Sequence, residues 1–281
     1  SNHVSLIRGK DTIAIDPDPS KTLNSQVLEK SVLTDYHYDT HEVTWKIVVN
    51  RSNLPMNGVT VTDTIPAGME YVSSSVTKRV VPSSGEPYED PVTVVPTGGT
   101  SLAGNATESF ELGDIDTQYT ITLTTKLTDE KLQEQFTQSI PFQNDATLTT
   151  TDHGPFTDSA TVNINNPILT KDTENYGEGD GYIEWAVSVN QGQLTLGGNA
   201  TLTDPLDSCL VLDQSSVKVY KANVNPANGA LTPDGNPISS PGDYTVDYQT
   251  DPGKNFNHVT FTFKNPGNSA YLVKFTTDID M

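Results

Sequence analysis

Lys30, Asp63 and Asn144 are the residues of this chain whose types suit a reaction with one another. A lysine is a nucleophile once it loses its proton, and burial promotes that loss because desolvation penalises the charged form. Burial acts on an aspartate in the opposite sense and keeps it protonated. A protonated Asp63 could donate a hydrogen bond to the Asn144 carboxamide oxygen, polarising its carbon and stabilising the oxyanion as the amine attacks. The Nζ–Cγ bond forms, the Cγ–Nδ2 bond breaks, and the released nitrogen departs as ammonia, leaving an isopeptide cross-link. Holding the groups in contact would supply much of the rate, since effective molarities in preorganised sites reach about 10⁵ M or more. All of this requires the three side chains to share one apolar core. An isolated set of these types would ordinarily be solvated polar groups on strand ends.

The chain repeats itself. Residues 30–50 and 57–76 align with 171–190 and 198–217, so that Trp45 matches Trp185 and Asn50 matches Asn190. Lys171 and Asp204 stand in the places of Lys30 and Asp63, and in each copy 33 positions separate the two residues. The offset of 141 between the lysines is the length of a whole domain rather than of a solenoid unit.

The elements that must position these residues are strands. In 43–49 the apolar residues Val43, Trp45, Ile47 and Val49 alternate with polar ones, and the runs 119–127 and 258–265 behave likewise. Alternation of this kind means strands with one buried face. Turn residues punctuate them at 66–68, 82–87 and 265–268. The spacing predicts a helix over 128–136, with Thr128 as cap and Leu132 and Phe136 on one side. The fold class read here is all-β, two sandwiches in tandem.

Composition narrows the function. The net charge of −20 is unsuited to nucleic acid, whose phosphates need clustered Lys and Arg, and suits a soluble extracellular protein. A single cysteine, Cys209, allows no internal disulfide. No run of about 18 apolar residues is present, so no membrane-spanning helix is expected. The five histidines show no metal-ligand spacing, and the acidic clusters 16–19, 38–42 and 177–181 match no known calcium loop. No nucleotide-binding or hydrolase motif is present. No cofactor and no metal are expected, and the cross-linking acts once per chain, so the protein is not read as an enzyme.

The segments 29–50, 59–66, 119–138 and 142–149 resemble the isopeptide-forming domains of Gram-positive collagen adhesins and fimbrial subunits. The resemblance covers nearly all of 28–166 and, more loosely, 167–281. It implies an inverse immunoglobulin-type sandwich with a lysine on the first strand, an acid at the end of a later one and an asparagine near the end. Lys30, Asp63 and Asn144 fall on that trio by position, and Lys171 and Asp204 on two members of it.

In the second copy the asparagine is expected 25 residues beyond Tyr271, because Asn144 lies 25 beyond Tyr119. That position falls past Met281, so the second sandwich is expected to lack its last hairpin. Residues 1–16 resemble that hairpin, with Asn2–Leu6 parallel to Asn144–Leu148 and Lys10–Ile15 to Thr157–Val162. Two origins stay open: the hairpin belongs to a preceding repeat, or it is donated head to tail to the second sandwich of a neighbouring molecule, where Asn2 would meet Lys171 and Asp204. With neither, Lys171 and Asp204 would remain an ion pair.

The expected organisation is a hairpin at 1–16, a linker at 17–27, an isopeptide-type sandwich at 28–166 and a second sandwich at 167–281. The function expected first is the stalk or backbone of a cell-surface adhesin or pilus-like protein on a Gram-positive cell wall, stabilised by Lys–Asn bonds. The alternative is a module that binds a host matrix or cell-surface protein, with collagen as the family's partner. An accessory domain of a secreted glycosidase is a third class.

Overall fold

The computed structural model describes residues 5–8, 11–15, 27–176, 179, 181–250 and 257–279. Strands β1 (Ser5–Arg8) and β2 (Asp11–Ile15) form a separate two-stranded sheet. Ten strands follow in the first sandwich: β3 (Leu28–His37), β4 (Glu42–Val49), β5 (Met56–Thr64), β6 (Met69–Val80) and β7 (Tyr88–Val92) come first. After them come β8 (Thr97–Thr100), β9 (Ala106–Ile115), β10 (Tyr119–Leu127), the single turn α1 (Asp129–Leu132), β11 (Phe136–Thr149) and β12 (Phe156–Asn166). One sheet has the order β3-β4-β10-β6-β7 and the facing sheet β12-β11-β5-β9-β8.

The second sandwich contains β13 (Leu169–Tyr176), β14 (Tyr182–Val189), β15 (Ala200–Leu206) and β16 (Leu210–Val224). It continues with β17 (Leu231–Pro233), β18 (Tyr244–Thr250), β19 (Asn257–Phe263) and β20 (Ala270–Ile279). Its first sheet, β13-β14-β20-β16-β17, repeats the order of the corresponding sheet in the first sandwich. Its second sheet has three strands, β15-β19-β18, against five, and the counterparts of β11 and β12 are the two without a match among the described residues.

Alternation places the core. Val43, Trp45, Ile47 and Val49 from β4 and Ile121, Leu123 and Leu127 from β10 pack against Val61, Phe110, Leu148 and Ile164 of the opposite sheet. Val187, Val273 and Phe275 do the same against Leu202, Val259 and Phe261 in the second sandwich. Both tryptophans donate Nε1–H to a threonine on the adjacent strand, Trp45 to Thr125 and Trp185 to Thr277, each at 2.9 Å, so neither indole is buried unpaired.

Asn50 and Asn190 owe their match to the backbone. Each sits at positive φ, 57° and 58°, in the left-handed region that asparagine tolerates. Each side chain then bonds both backbone groups of the residue four positions on, Leu54 and Leu194, closing the turn after the core strand.

The helix expected over 128–136 is shorter. Thr128 does cap it, accepting from the Lys131 N–H, but it ends at Leu132 and Phe136 opens β11. The reason is tertiary: Asn166 at the end of β12 donates its side-chain amide to the Leu132 and Glu134 carbonyls, and Phe136 pairs with Asn166 across the sheet. The hairpin register also differs in its second strand. Ser5 pairs with Ile15 and Leu6 with Ala14, as Thr147 pairs with Thr157 and Leu148 with Phe156, so Ile15 rather than Lys10 takes the place of Thr157.

β3 and β12 lie side by side and run in the same direction. The Lys30 N–H donates to Asp158 Oδ2 at 2.7 Å, and eight residues on, the Tyr38 hydroxyl donates to the Asn165 side chain. At that far end the two sandwiches meet. The Tyr38 N–H donates to the Pro226 carbonyl at 2.9 Å, and Gly229 lies so close to the Tyr38 ring that a Cβ there would stand 2.8 Å from it.

Candidate functional site: a buried Lys–Asp–Asn trio and its open counterpart

Lys30 comes to the first core from β3, Asp63 from the end of β5 and Asn144 from the middle of β11. Asp63 stands opposite Ala146 on β11, so Asn144, two residues earlier, lies on the same face one pleat away. The side chains of Lys30 and Asp63 are both 0% exposed, and Lys30 Nζ is hydrogen-bonded to Asp63 Oδ2. Nζ stands 5.7 Å from the centre of the Trp45 ring. Asn144 is equally enclosed, and neither atom of its carboxamide has a hydrogen-bond partner; nor does Asp63 Oδ1. A buried amide with both ends unpaired costs on the order of 1–3 kcal/mol per group, so such a residue in an apolar core calls for a reason.

The electrostatics follow from this burial. Desolvation lowers the pKa of Lys30, against the opposing pull of Asp63, Asp145 and Asp158. Desolvation raises that of Asp63, against the opposing pull of Lys30. Both shifts favour the uncharged pair, an amine beside a carboxylic acid. Glu108, across from Asp63 on β9, is itself pushed up by desolvation and then by Asp63. In this arrangement the amine could attack the Asn144 carbon while Asp63 carries its proton to the departing Nδ2.

Asp158 was not among the sequence candidates, although its signal was there. It is an acid on the inward side of a strand whose next inward residues are Ala160, Val162 and Ile164. By holding the Lys30 backbone it fixes where β3 delivers its side chain.

In the second sandwich Lys171 and Asp204 are brought together in the same way, from β13 and β15. Lys171 Nζ lies 2.8 Å from one carboxylate oxygen and 2.7 Å from the other. Nζ also stands 4.2 Å from the centre of the Trp185 ring. The Lys171 side chain is 31% exposed and that of Asp204 8%. No asparagine joins them among the described residues; Asn2 lies outside those residues. His41 is half-buried at the β3–β4 turn, with Nδ1 3.0 Å from the Tyr36 hydroxyl.

Where the sandwiches meet, a cleft of about 590 Å³ is lined by Asp39, His41 and Asp129 from the first and Gln193, Thr195 and Asn268 from the second. Loops far apart in sequence build it, so no local pattern could have revealed it.

Comparison with solved structures finds distant likenesses. The collagen-binding subdomain of the Enterococcus faecalis surface protein ACE matches at 13% identity and TM-score 0.32, over 50% of this chain and 97% of that one. The collagen adhesin CNA of Staphylococcus aureus matches at 15% and 0.28, over 91% of this chain and 82% of that one. The collagen-binding domain of the Erysipelothrix rhusiopathiae surface protein RspB matches at 12% and 0.30, over 92% and 82%. Comparison with curated proteins found no match. The family model of the collagen binding domain matches twice, over residues 25–158 and 167–281, once on each sandwich. With most of its length accounted for by those two matches, the chain belongs to the collagen binding domain family of surface adhesins.

Proposed function

We propose that the chain is an extracellular adhesin module that holds a collagen-type matrix protein between its two sandwiches, and that its first sandwich is closed by a Lys30–Asn144 isopeptide bond. The observation that carries the adhesin reading is the double match to the collagen binding domain, one copy on each sandwich. It favours matrix binding over the stalk role expected first from the repeat. The cleft at the junction is built from both sandwiches, and its side-chain amides and carboxylates suit a ligand with exposed backbone groups. On this reading the protein faces the outside of a Gram-positive cell, anchored to its wall through the parent polypeptide.

The support for the bond is the enclosed trio, with its unpaired carboxamide and an amine and acid both driven towards neutrality. Lys30 Nζ would join Asn144 Cγ, and one ammonia would leave with the proton relayed by Asp63. The reaction happens once per chain and regenerates nothing, so it is not an enzymatic turnover.

Solid-phase binding to immobilised collagen tests the adhesin reading. Saturable binding that drops at least tenfold in a Gln193→Ala/Asn268→Ala double variant is expected; no binding to any matrix protein overturns it. Intact mass under denaturing conditions tests the bond. The chain should weigh one ammonia less than its sequence, and Lys30→Ala or Asp63→Ala should restore the full sequence mass. A wild-type chain of full mass would rule the bond out.

A further inference from the structure

We infer that Glu108 is a positioning residue for the cross-link of the first sandwich: from beside Asp63 on the inner face of the sheet, its carboxylate holds the proton of the Lys30–Asp63 pair on Asp63 and so leaves Lys30 as the free amine. The inference rests on the isopeptide chemistry proposed above and concerns how that site is controlled.

The placement follows from register. On β5, Asp63 stands opposite Ala146 of β11 on one side and opposite Glu108 of β9 on the other. Residues opposite one another in an antiparallel pair turn their side chains to the same face, with Cβ atoms about 4.5–5.5 Å apart. Glu108 therefore points inward with Asp63, and its own strand agrees, since Phe110, two residues on, is fully buried in the core. The next strand makes room. Gly98 of β8 lies opposite Glu108, and a Cβ there would already touch Glu108 Oε1 at 3.4 Å, so a larger side chain would crowd the carboxylate. In the second sandwich the same row across three strands reads Asp204, Val259 and Tyr248. The second acid and the glycine beside it belong to the copy that encloses Lys30, Asp63 and Asn144.

Two neighbouring acids compete for a proton, and solvation decides which of them keeps it. The Asp63 side chain is 0% exposed, whereas Glu108 is half-buried. Desolvation and then the charge of Asp63 push the Glu108 pKa up, and the repulsion between the two acids is mutual. The better-solvated Glu108 takes the charge and Asp63 keeps the proton. β8 brings no titratable group to Glu108. β6, which packs against β9 from the facing sheet, carries Tyr71 and Lys78 on its inner side, and Asp63 is the charge that acts on Glu108.

Lys30 lies on the far side of Asp63. It arrives on β3, which runs beside β12, so it meets Asp63 from the β11 side while Glu108 meets it from the β9 side. The acids that act on Lys30 are Asp63, Asp145 and Asp158. A negative charge nearer to the acid than to the amine moves their shared proton from Nζ to Oδ2. The covalent step is unchanged: Lys30 Nζ bonds to Asn144 Cγ, the Cγ–Nδ2 bond breaks, and Asp63 passes the amine proton to the nitrogen that leaves as ammonia. Glu108 gains and loses no proton in it.

The test is the rate of ammonia loss, followed by intact mass after the full chain, held unfolded and unreacted in urea, is diluted into buffers from about pH 4 to pH 8. Tryptophan fluorescence in the same mixtures times folding separately. Wild type and Glu108→Gln should react equally fast at the acid end, where Glu108 is protonated. The wild type should pull ahead as pH rises through the Glu108 ionisation, by about tenfold at neutral pH. Glu108→Asp, which keeps the charge, should recover most of that difference. Equal rates at every pH overturn the inference and leave the Lys30–Asn144 bond standing. A Glu108→Gln chain slowed by the same factor at every pH, or a slowing that Glu108→Asp does not relieve, shows a packing role and overturns it as well. A wild-type chain that keeps its full sequence mass at every pH overturns the bond, and this inference with it.

Discussion

The two sandwiches hold the same lysine–aspartate pair, 33 residues apart in each, in two different states. Lys30 and Asp63 are sealed and driven towards neutrality; Lys171 and Asp204 form a partly solvated ion pair. The residues are the same, and so are the tryptophan beside each lysine and the strand that presents it. What differs is one neighbour. β11 lies against β5 and brings both the cover and the asparagine, and β15 has no such neighbour among the described residues. The exposure of the amine thus differs between two copies that share the same lysine, aspartate and tryptophan.

The comparison can be broken by removing each lysine. Lys30→Ala should lower the stability of the first sandwich by on the order of 4–5 kcal/mol, the value expected for opening a loop of this length, whereas Lys171→Ala should cost under about 1 kcal/mol as a partly exposed ion pair. Urea unfolding followed at each tryptophan would read the two effects, and equal losses would contradict the assignment. Trp45→Ala should cost about 3–5 kcal/mol, and Trp185→Ala less because its ring is only partly buried. Thermal unfolding gives that ranking, and a larger effect at Trp185 would invert the picture of which core is better closed.

Two further changes sharpen the contrast. Asn50→Ala and Asn190→Ala should each cost about 1–3 kcal/mol and should match one another, since both side chains close the same turn with the same partners. Unequal costs in chemical denaturation would mean that the turns differ in what they support. The smallest and most specific effect is on pH. In Lys30→Met, Asp63 is buried without its partner and its folded pKa stays above the unfolded value, so the folded state binds the extra proton. Stability should be greatest below about pH 4 and should fall as pH rises through the folded pKa of Asp63, by at most about 1.4 kcal/mol per pH unit. A profile that rises with pH over that range would show Asp63 to be charged in the core.

Much of this was legible in the sequence because alternation and repetition are local or additive signals. The inward face of β4, the Lys–Asp spacing and the matched Asn50 and Asn190 can all be counted without a structure. The length of α1 could not, because it is ended by Asn166, a residue more than thirty positions away. The second strand of the first hairpin was aligned by residue likeness, and backbone pairing shifted it. The cleft at the junction depends on how the two sandwiches meet, which no periodicity encodes.

The parallel course of β3 and β12 has a mechanical meaning. The chain comes into the first sandwich at the foot of β3 and leaves it at the head of β12, next to the junction. A pull between a cell and its attachment point would therefore drag these strands lengthwise past each other, loading the contacts between them all at once in shear instead of peeling them apart in turn. A sandwich threaded this way resists traction through its topology alone, before any covalent reinforcement is counted.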